Sequence, residues 1–140
     1  MRRLFLDTSF LIALEAADDQ HHAAALSHWN SLSTSLPTLV TTSYVFDEVV
    51  TFFNSRNRHA KAMEIGSLLL ESPSVKVVHI DEALFHDAWR CLVQQADKSY
   101  SFTDCTSFVV MRRLRLRTAL SFDKHFIQTG FEQQPETGSA

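Results

Sequence analysis

Four carboxylates in this 140-residue chain stand where a hydrolytic or metal-binding site could be assembled: Asp7, Glu48, Asp104 and Asp123. Asp7 directly follows the apolar run Leu4-Phe5-Leu6, and Asp123 follows Thr118-Ala119-Leu120-Ser121-Phe122. Both runs read as strands, and in open parallel sheets ligands bind at the carboxyl ends of the strands. A second reading stays open for both, because Asp is also a common helix N-cap. The same holds for Asp104, since Ser101-Phe102-Thr103-Asp104 has the pattern of a capping box with Asp in place of Glu.

Helix geometry separates the readings at Glu48. At roughly 100° per residue, Val45, Val49, Val50, Phe52 and Phe53 share one apolar arc, with Glu48 at its edge between Tyr44 and Phe52 and Asp47 pointing away. Glu48 therefore faces the fold and lies too far inside its helix to be a cap; the competing reading is a surface acid with a packed stem. On its own helix Asp104 shares a side with Phe108 and Met111, which predicts burial.

Acids brought together this way repel. A pair at about 4 Å costs roughly 4 kcal/mol at an effective dielectric of 20. The basic residues nearest in sequence are poorly placed, Arg3 lying roughly 13 Å from Asp7 along a strand and Arg56 roughly 12 Å from Glu48 along a helix. The counter-charge that suits all-oxygen ligands is a hard divalent cation, Mg²⁺ or Mn²⁺.

The elements that must position these residues follow from periodicity. Strands are expected at 4–6, 38–41, 75–78 and 118–122. Helices are expected from Asp7 onward, over 21–32, from Ser43 through Phe53, over 58–71, after Asp81, over 102–114, and from Asp123 to Gly130. Strands alternating with helices imply a parallel sheet covered on both faces, a three-layer α/β/α domain of the α/β class. The helix over 102–114, apolar from Phe108 to Met111, is expected to be the central buried one.

Composition narrows the function classes. With 45% hydrophobic residues the chain can bury one substantial core. Cys91 and Cys105 have neither disulfide-framework nor zinc-ligand spacing, and no run approaches the roughly 18 apolar residues of a membrane span, so a cytoplasmic protein with reduced thiols is expected. A net charge of −3 gives no global attraction to nucleic acid. Local basic clusters do occur, at Arg112, Arg113, Arg115 and Arg117 and at Arg56, Arg58 and Lys61. Arg113 and Arg115 are candidate phosphate contacts, against the alternative that they complement the helix dipole at the end of the 102–114 helix.

Taken together, Leu6-Asp7-Thr8-Ser9-Phe10, Thr42-Ser43 with Glu48, Tyr100-Ser101-Phe102-Thr103-Asp104-Cys105 and Ser121-Phe122-Asp123-Lys124-His125-Phe126 resemble the PIN-domain ribonucleases, in particular the VapC-type toxins and related stand-alone prokaryotic PIN proteins. The resemblance runs from about residue 3 to residue 131. It implies a metal-dependent endoribonuclease with Asp7, Glu48 and Asp104 as core acids, Asp123 as the fourth, and Thr8 or Ser9 as the small hydroxyl beside the first. It further implies a homodimer and, for the toxins, an antitoxin partner. One departure is C-terminal: where the family continues with a short apolar strand, Glu132-Gln133-Gln134-Pro135 is polar, so a domain at 1–131 and a polar tail at 132–140 are expected.

Phosphodiester hydrolysis needs a nucleophilic water, charge neutralisation at phosphorus and a stabilised leaving alkoxide, all of which one or two Mg²⁺ ions supply. A metal-free route would need a histidine pair, and of the seven histidines only His125 falls near the acids. A phosphoryl-transfer enzyme with Asp7 as nucleophile would want a second acid at position 9, which is Ser9. The remaining alternative is a catalytically silent nucleic-acid-binding or scaffold protein whose acids are only helix caps.

Overall fold

Where an apolar run gives way to a small polar residue, the chain passes from strand to helix. In the computed structural model, which describes residues 2–136, β1 (Arg3–Leu6) leads through Asp7 into α1 (Thr8–Glu15), and α2 (His22–Leu32) returns to β2 (Thr38–Thr42). Thr42 ends β2 and caps α3 (Ser43–Asn54), its hydroxyl accepting from Val45 N at 3.1 Å. Then come α4 (His59–Glu71), β3 (Val75–Val78), α5 (Glu82–Gln94), α6 (Phe102–Arg113), β4 (Thr118–Leu120), α7 (His125–Gln128) and β5 (Glu132–Gln134). Asp81 caps α5, and Ser101 with Asp104 forms the reciprocal capping box of α6.

Among the described residues, five strands, all parallel, lie in the order β3-β2-β1-β4-β5, and seven helices flank the sheet in the expected three layers. The chain builds outward from β1 through β2 to β3, then crosses back to β4 and β5. Strand order therefore reverses between β1 and β4, opening a crevice at their carboxyl ends. α6 is the central buried helix, with every residue from Asp104 to Phe108 buried. Phe108 meets Tyr100 and Phe126 edge-on at centroid distances of 5.1 Å, tying α6 to the loop before it and to α7.

Several boundaries differ from expectation: α7 spans only His125–Gln128 of the expected 123–130, and two others bear on the site and the sheet edge. β4 stops at Leu120, two residues early, because the Phe122 N–H donates to the Ser9 hydroxyl (2.9 Å). The second concerns the polar tail expected at 132–140. Glu132–Gln134 is β5, in register with Thr118, Ala119 and Leu120, and continues the sheet past residue 131. Backbone hydrogen bonds make this strand: Glu132 N donates to Arg117 O at 2.8 Å and Ser121 N to Gln134 O at 3.0 Å, which polar side chains on an edge strand do not oppose. Of the proposed tail, residues 137–140 lie outside the described residues.

Candidate active site

β1 and β4 deliver the first part of the site. The backbone N–H of Asp7 donates to Leu120 O (3.1 Å), so the two strand ends emerge side by side at the reversal of strand order. Asp7 is 4% exposed and caps α1. Its Oδ2 accepts from Ser9 N (3.3 Å), the Ser9 hydroxyl (2.7 Å) and the Ser121 hydroxyl (2.8 Å). Those hydroxyls accept in turn from Phe122 N and Asp123 N, both at 2.9 Å, so two serines lock Asp7 to the turn that presents Asp123.

α3 supplies Glu48, half-buried beside an exposed Asp47 as the helical wheel requires, with Thr8 Oγ1 donating to Glu48 Oε1 (2.9 Å). α6 supplies Asp104 from its first turn, where Oδ2 accepts from Ser101 N (3.1 Å) within the capping box. His125, at the start of α7, joins the cluster: its Nδ1 lies 2.8 Å from Asp104 Oδ2 and 3.0 Å from Asp123 Oδ1, and its Nε2 is 3.4 Å from Ser99 Oγ.

Asp7, Thr8, Ser9, Glu48, Asp104 and Asp123 thus line one cleft of about 330 Å³ together with His125 and Ser101. Within it Asp104, Asp123 and His125 are closest, offering ligand atoms all within 4.8 Å of one another, while Asp7 and Glu48 stand outside this trio. Each of the four acids is held by one oxygen only. Hydrogen bonds fall on Asp7 Oδ2, Glu48 Oε1, Asp104 Oδ2 and Asp123 Oδ1, and among the described residues the other oxygen of each acid takes none.

Burial dominates the electrostatics. It pushes the Asp7 carboxyl from its usual 3.8 up to about 6, against the Ser9 and Ser121 hydrogen bonds and with help from the charges of Asp104 and Asp123. Asp104 is also raised, again chiefly by burial; the Ser101 N–H and His125 oppose the shift and Asp123 adds to it. Two carboxyls that resist ionisation beside a third, with four unengaged oxygens and one imidazole, are a donor set that suits a divalent metal ion.

The arginines lie elsewhere. Arg113 forms an ion pair with Asp87 of α5 and lines a separate cavity between α5 and α6, and neither it nor the exposed Arg115 borders the acid cleft. Arg56 lies over the Phe52 ring, 3.7 Å from its centroid, and Lys61 pairs with Glu15 at 3.0 Å. Sequence reasoning undervalued His125, whose bridging role depends on a tertiary approach. It also missed Ser121, although Ser121-Phe122-Asp123 sets a hydroxyl two residues from an acid at a strand end, as Asp7-Thr8-Ser9 does in reverse order.

Fold and site define an α/β protein with an acidic cleft at the switch point of a parallel sheet. A model of the PIN domain matches residues 4–132, and the chain belongs to that family. It is 38% identical over 134 residues, 95% of this chain and 99% of the relative, to the 23S rRNA-specific endonuclease VapC20 of two Mycobacterium tuberculosis strains. The crystal structure of M. tuberculosis VapC20, described as a sarcin-ricin loop cleaving toxin, superposes with a TM-score of 0.83 at 36% identity, covering 91% of this chain and 95% of that one. Two further structures share the fold. FitAcB from Neisseria gonorrhoeae has a TM-score of 0.65 at 14% identity over 93% of this chain and 95% of its own. VapBC-1 from nontypeable Haemophilus influenzae has a TM-score of 0.64 at 16% identity over 95% and 97%.

Proposed function

We propose that this chain is a metal-dependent endoribonuclease that cuts 23S ribosomal RNA at the sarcin-ricin loop, and that it is the toxin of a toxin-antitoxin pair. The observation that carries the reading is the convergence of Asp7, Glu48, Asp104 and Asp123 on one cleft with one unengaged oxygen apiece. The relative named for 23S rRNA cleavage, similar over 95% of this chain, supplies the substrate.

Asp7, Glu48 and Asp104 would hold the principal Mg²⁺ or Mn²⁺, and Asp123 would hold a second ion or orient the attacking water. Bound there, such an ion activates the water and neutralises charge at the phosphate and the leaving oxygen. Thr8 keeps Glu48 in place, and Ser9 with Ser121 fixes the rotamer of Asp7. The His125 ring lies against Asp104 while its backbone N–H donates to Asp123, and together they limit the repulsion of the two acids before substrate arrives. In-line attack by water leaves a 5′-phosphate and a 3′-hydroxyl. Arg113 and Arg115, being outside the cleft, could contact only flanking strand. Among the described residues no helix is long and apolar enough to cross a membrane. A cytoplasmic homodimer neutralised by an antitoxin protein completes the reading.

The test is cleavage of an RNA hairpin carrying the sarcin-ricin loop, with Mg²⁺, with Mn²⁺ and with excess chelator, beside Asp104→Asn. Metal-dependent cleavage at one position, lost with chelator and in the variant, is expected. A specific observation favours the silent binder as the second reading, since Asp7 and Asp104 each satisfy a helix start. Absence of cleavage with intact hairpin binding would select it.

A further inference from the structure

Beside the acid cleft, and sharing Ser9, Ile12 and Asp123 with it, lies a second cavity of about 560 Å³ lined further by three aromatic rings and by Asp19, Gln20 and Lys124. His21 and Phe122 form one wall, and Phe52 of α3 also borders the space. The His21 and Phe122 rings are stacked with centroids 4.4 Å apart and planes within 1° of parallel, and Phe122 stacks at 5.9 Å and 7° on the fully buried Phe10. His21 is therefore the outer ring of a three-ring column rooted in the core. Its backbone is fixed as well, His21 N donating to Asp19 Oδ1 at 2.8 Å. The exposed Lys124 lines the same cavity, next in the chain to Asp123.

We propose that this groove binds a nucleotide adjoining the scissile phosphate, its base stacked against the His21–Phe122 column and its phosphate met by Lys124. The inference rests on the ribonuclease reading of the neighbouring cleft. A single-stranded segment leaving the acids must cross the shared residues Ser9, Ile12 and Asp123, and the first surface it meets offers flat rings and a cation. A net charge of −3 gives such a strand no global attraction, so local contacts of this kind must help to hold it. Every base has a π face, so a ring already held in place by packing gains affinity for bases with little dependence on sequence.

Binding is measured by fluorescence anisotropy in the Asp104→Asn background, which spares the RNA. The probes are a single-stranded RNA of about 12 nucleotides and an abasic strand of the same length. The intact strand should bind about tenfold more tightly than the abasic one. His21→Ala in that background should lose most of this difference, while His21→Phe should keep it. A base preference that survives His21→Ala overturns the proposal, as does an equal loss in His21→Phe, or no base preference at all. Cleavage of the sarcin-ricin hairpin by the unsubstituted protein is scored separately. Base preference without cleavage fails the ribonuclease reading and leaves the groove standing; cleavage without base preference does the reverse.

Discussion

His125 Nδ1 lies 2.8 Å from Asp104 Oδ2 and bridges onward to Asp123, so the one imidazole in the cleft serves two acids at once. Removing it leaves both carboxylates facing each other without that donor. His125→Ala should lower the melting temperature of the metal-free protein at pH 7, by an amount equivalent to about 2 kcal/mol, as for a hydrogen bond to a charged group. Added Mn²⁺ should restore much of the loss. A melting curve unmoved by the substitution would make His125 a bystander.

Glu48 and Asp47 are neighbours in sequence but not in environment, one bonded to Thr8 at the cleft and the other exposed on the outer face of α3. Glu48→Gln should reduce the cleavage rate by about a hundredfold or more, in the range for loss of a group that acts on the transition state. Asp47→Asn should leave the rate within a factor of two. Equal losses would count against the cleft as the reacting site.

Asp7 gives the metal-free protein a pH signature. Its folded-state value of about 6 exceeds the unfolded 3.8, so the native state binds this proton more tightly than the unfolded chain does. The stabilisation is fully present below the unfolded value and disappears as pH rises through about 6. Chemical denaturation of the chelated protein should accordingly show stability falling between about pH 4 and pH 6.5 by up to ~3 kcal/mol from this group. Asp7→Asn should flatten that segment and stabilise the protein at pH 7.

Divalent metal should act in the opposite sense. A cation that binds only the folded state at a hundred times its dissociation constant adds about 2.7 kcal/mol, equivalent to roughly 9 °C in a domain of this size. Millimolar Mn²⁺ should raise the melting temperature by that order, and by much less in Asp104→Asn. The variant should still fold, because an Asn oxygen at position 104 can accept the Ser101 N–H that completes the capping box. Unfolding of Asp104→Asn would assign the acid to the helix start alone.

Arg113 and Arg115 should part company in salt titrations. Arg113 is engaged by Asp87, whereas Arg115 is exposed and has no ion pair among the described residues. Arg115→Gln should reduce the slope of log affinity against log salt by about 0.7 on single-stranded RNA, while Arg113→Gln leaves it unchanged. A reduced slope in Arg113→Gln would show that RNA displaces Asp87.

Much of this arrangement is legible in sequence because local rules and tertiary demands coincide. Asp7 and Asp104 are acids at helix starts, and the same geometry that makes them caps turns them into the crevice, with capping engaging one oxygen of each. Glu48 follows from helical phase alone. What stays hidden is whatever depends on a partner far along the chain. His125 gains its role from Asp104, 21 residues earlier, and Ser121 from Asp7, 114 residues away. β5 escapes because pattern reading weighs side chains, whereas Glu132-Gln133-Gln134 is recruited by the unpaired backbone of β4.

That recruited strand also governs how the molecule meets its neighbours. Without Glu132–Gln134 the sheet would end at β4, presenting the peptide groups of Ala119 and Leu120, two fully buried apolar residues, as an open template for another chain. The polar β5 occupies that template and replaces it with a three-residue rim carrying the carboxylate of Glu132, too short and too hydrophilic to propagate intermolecular strand addition. A chain shortened to end at Phe131 would keep all four acids yet lose its guard against self-association, and precipitation of such a truncation would reflect a bared sheet edge and not a damaged cleft.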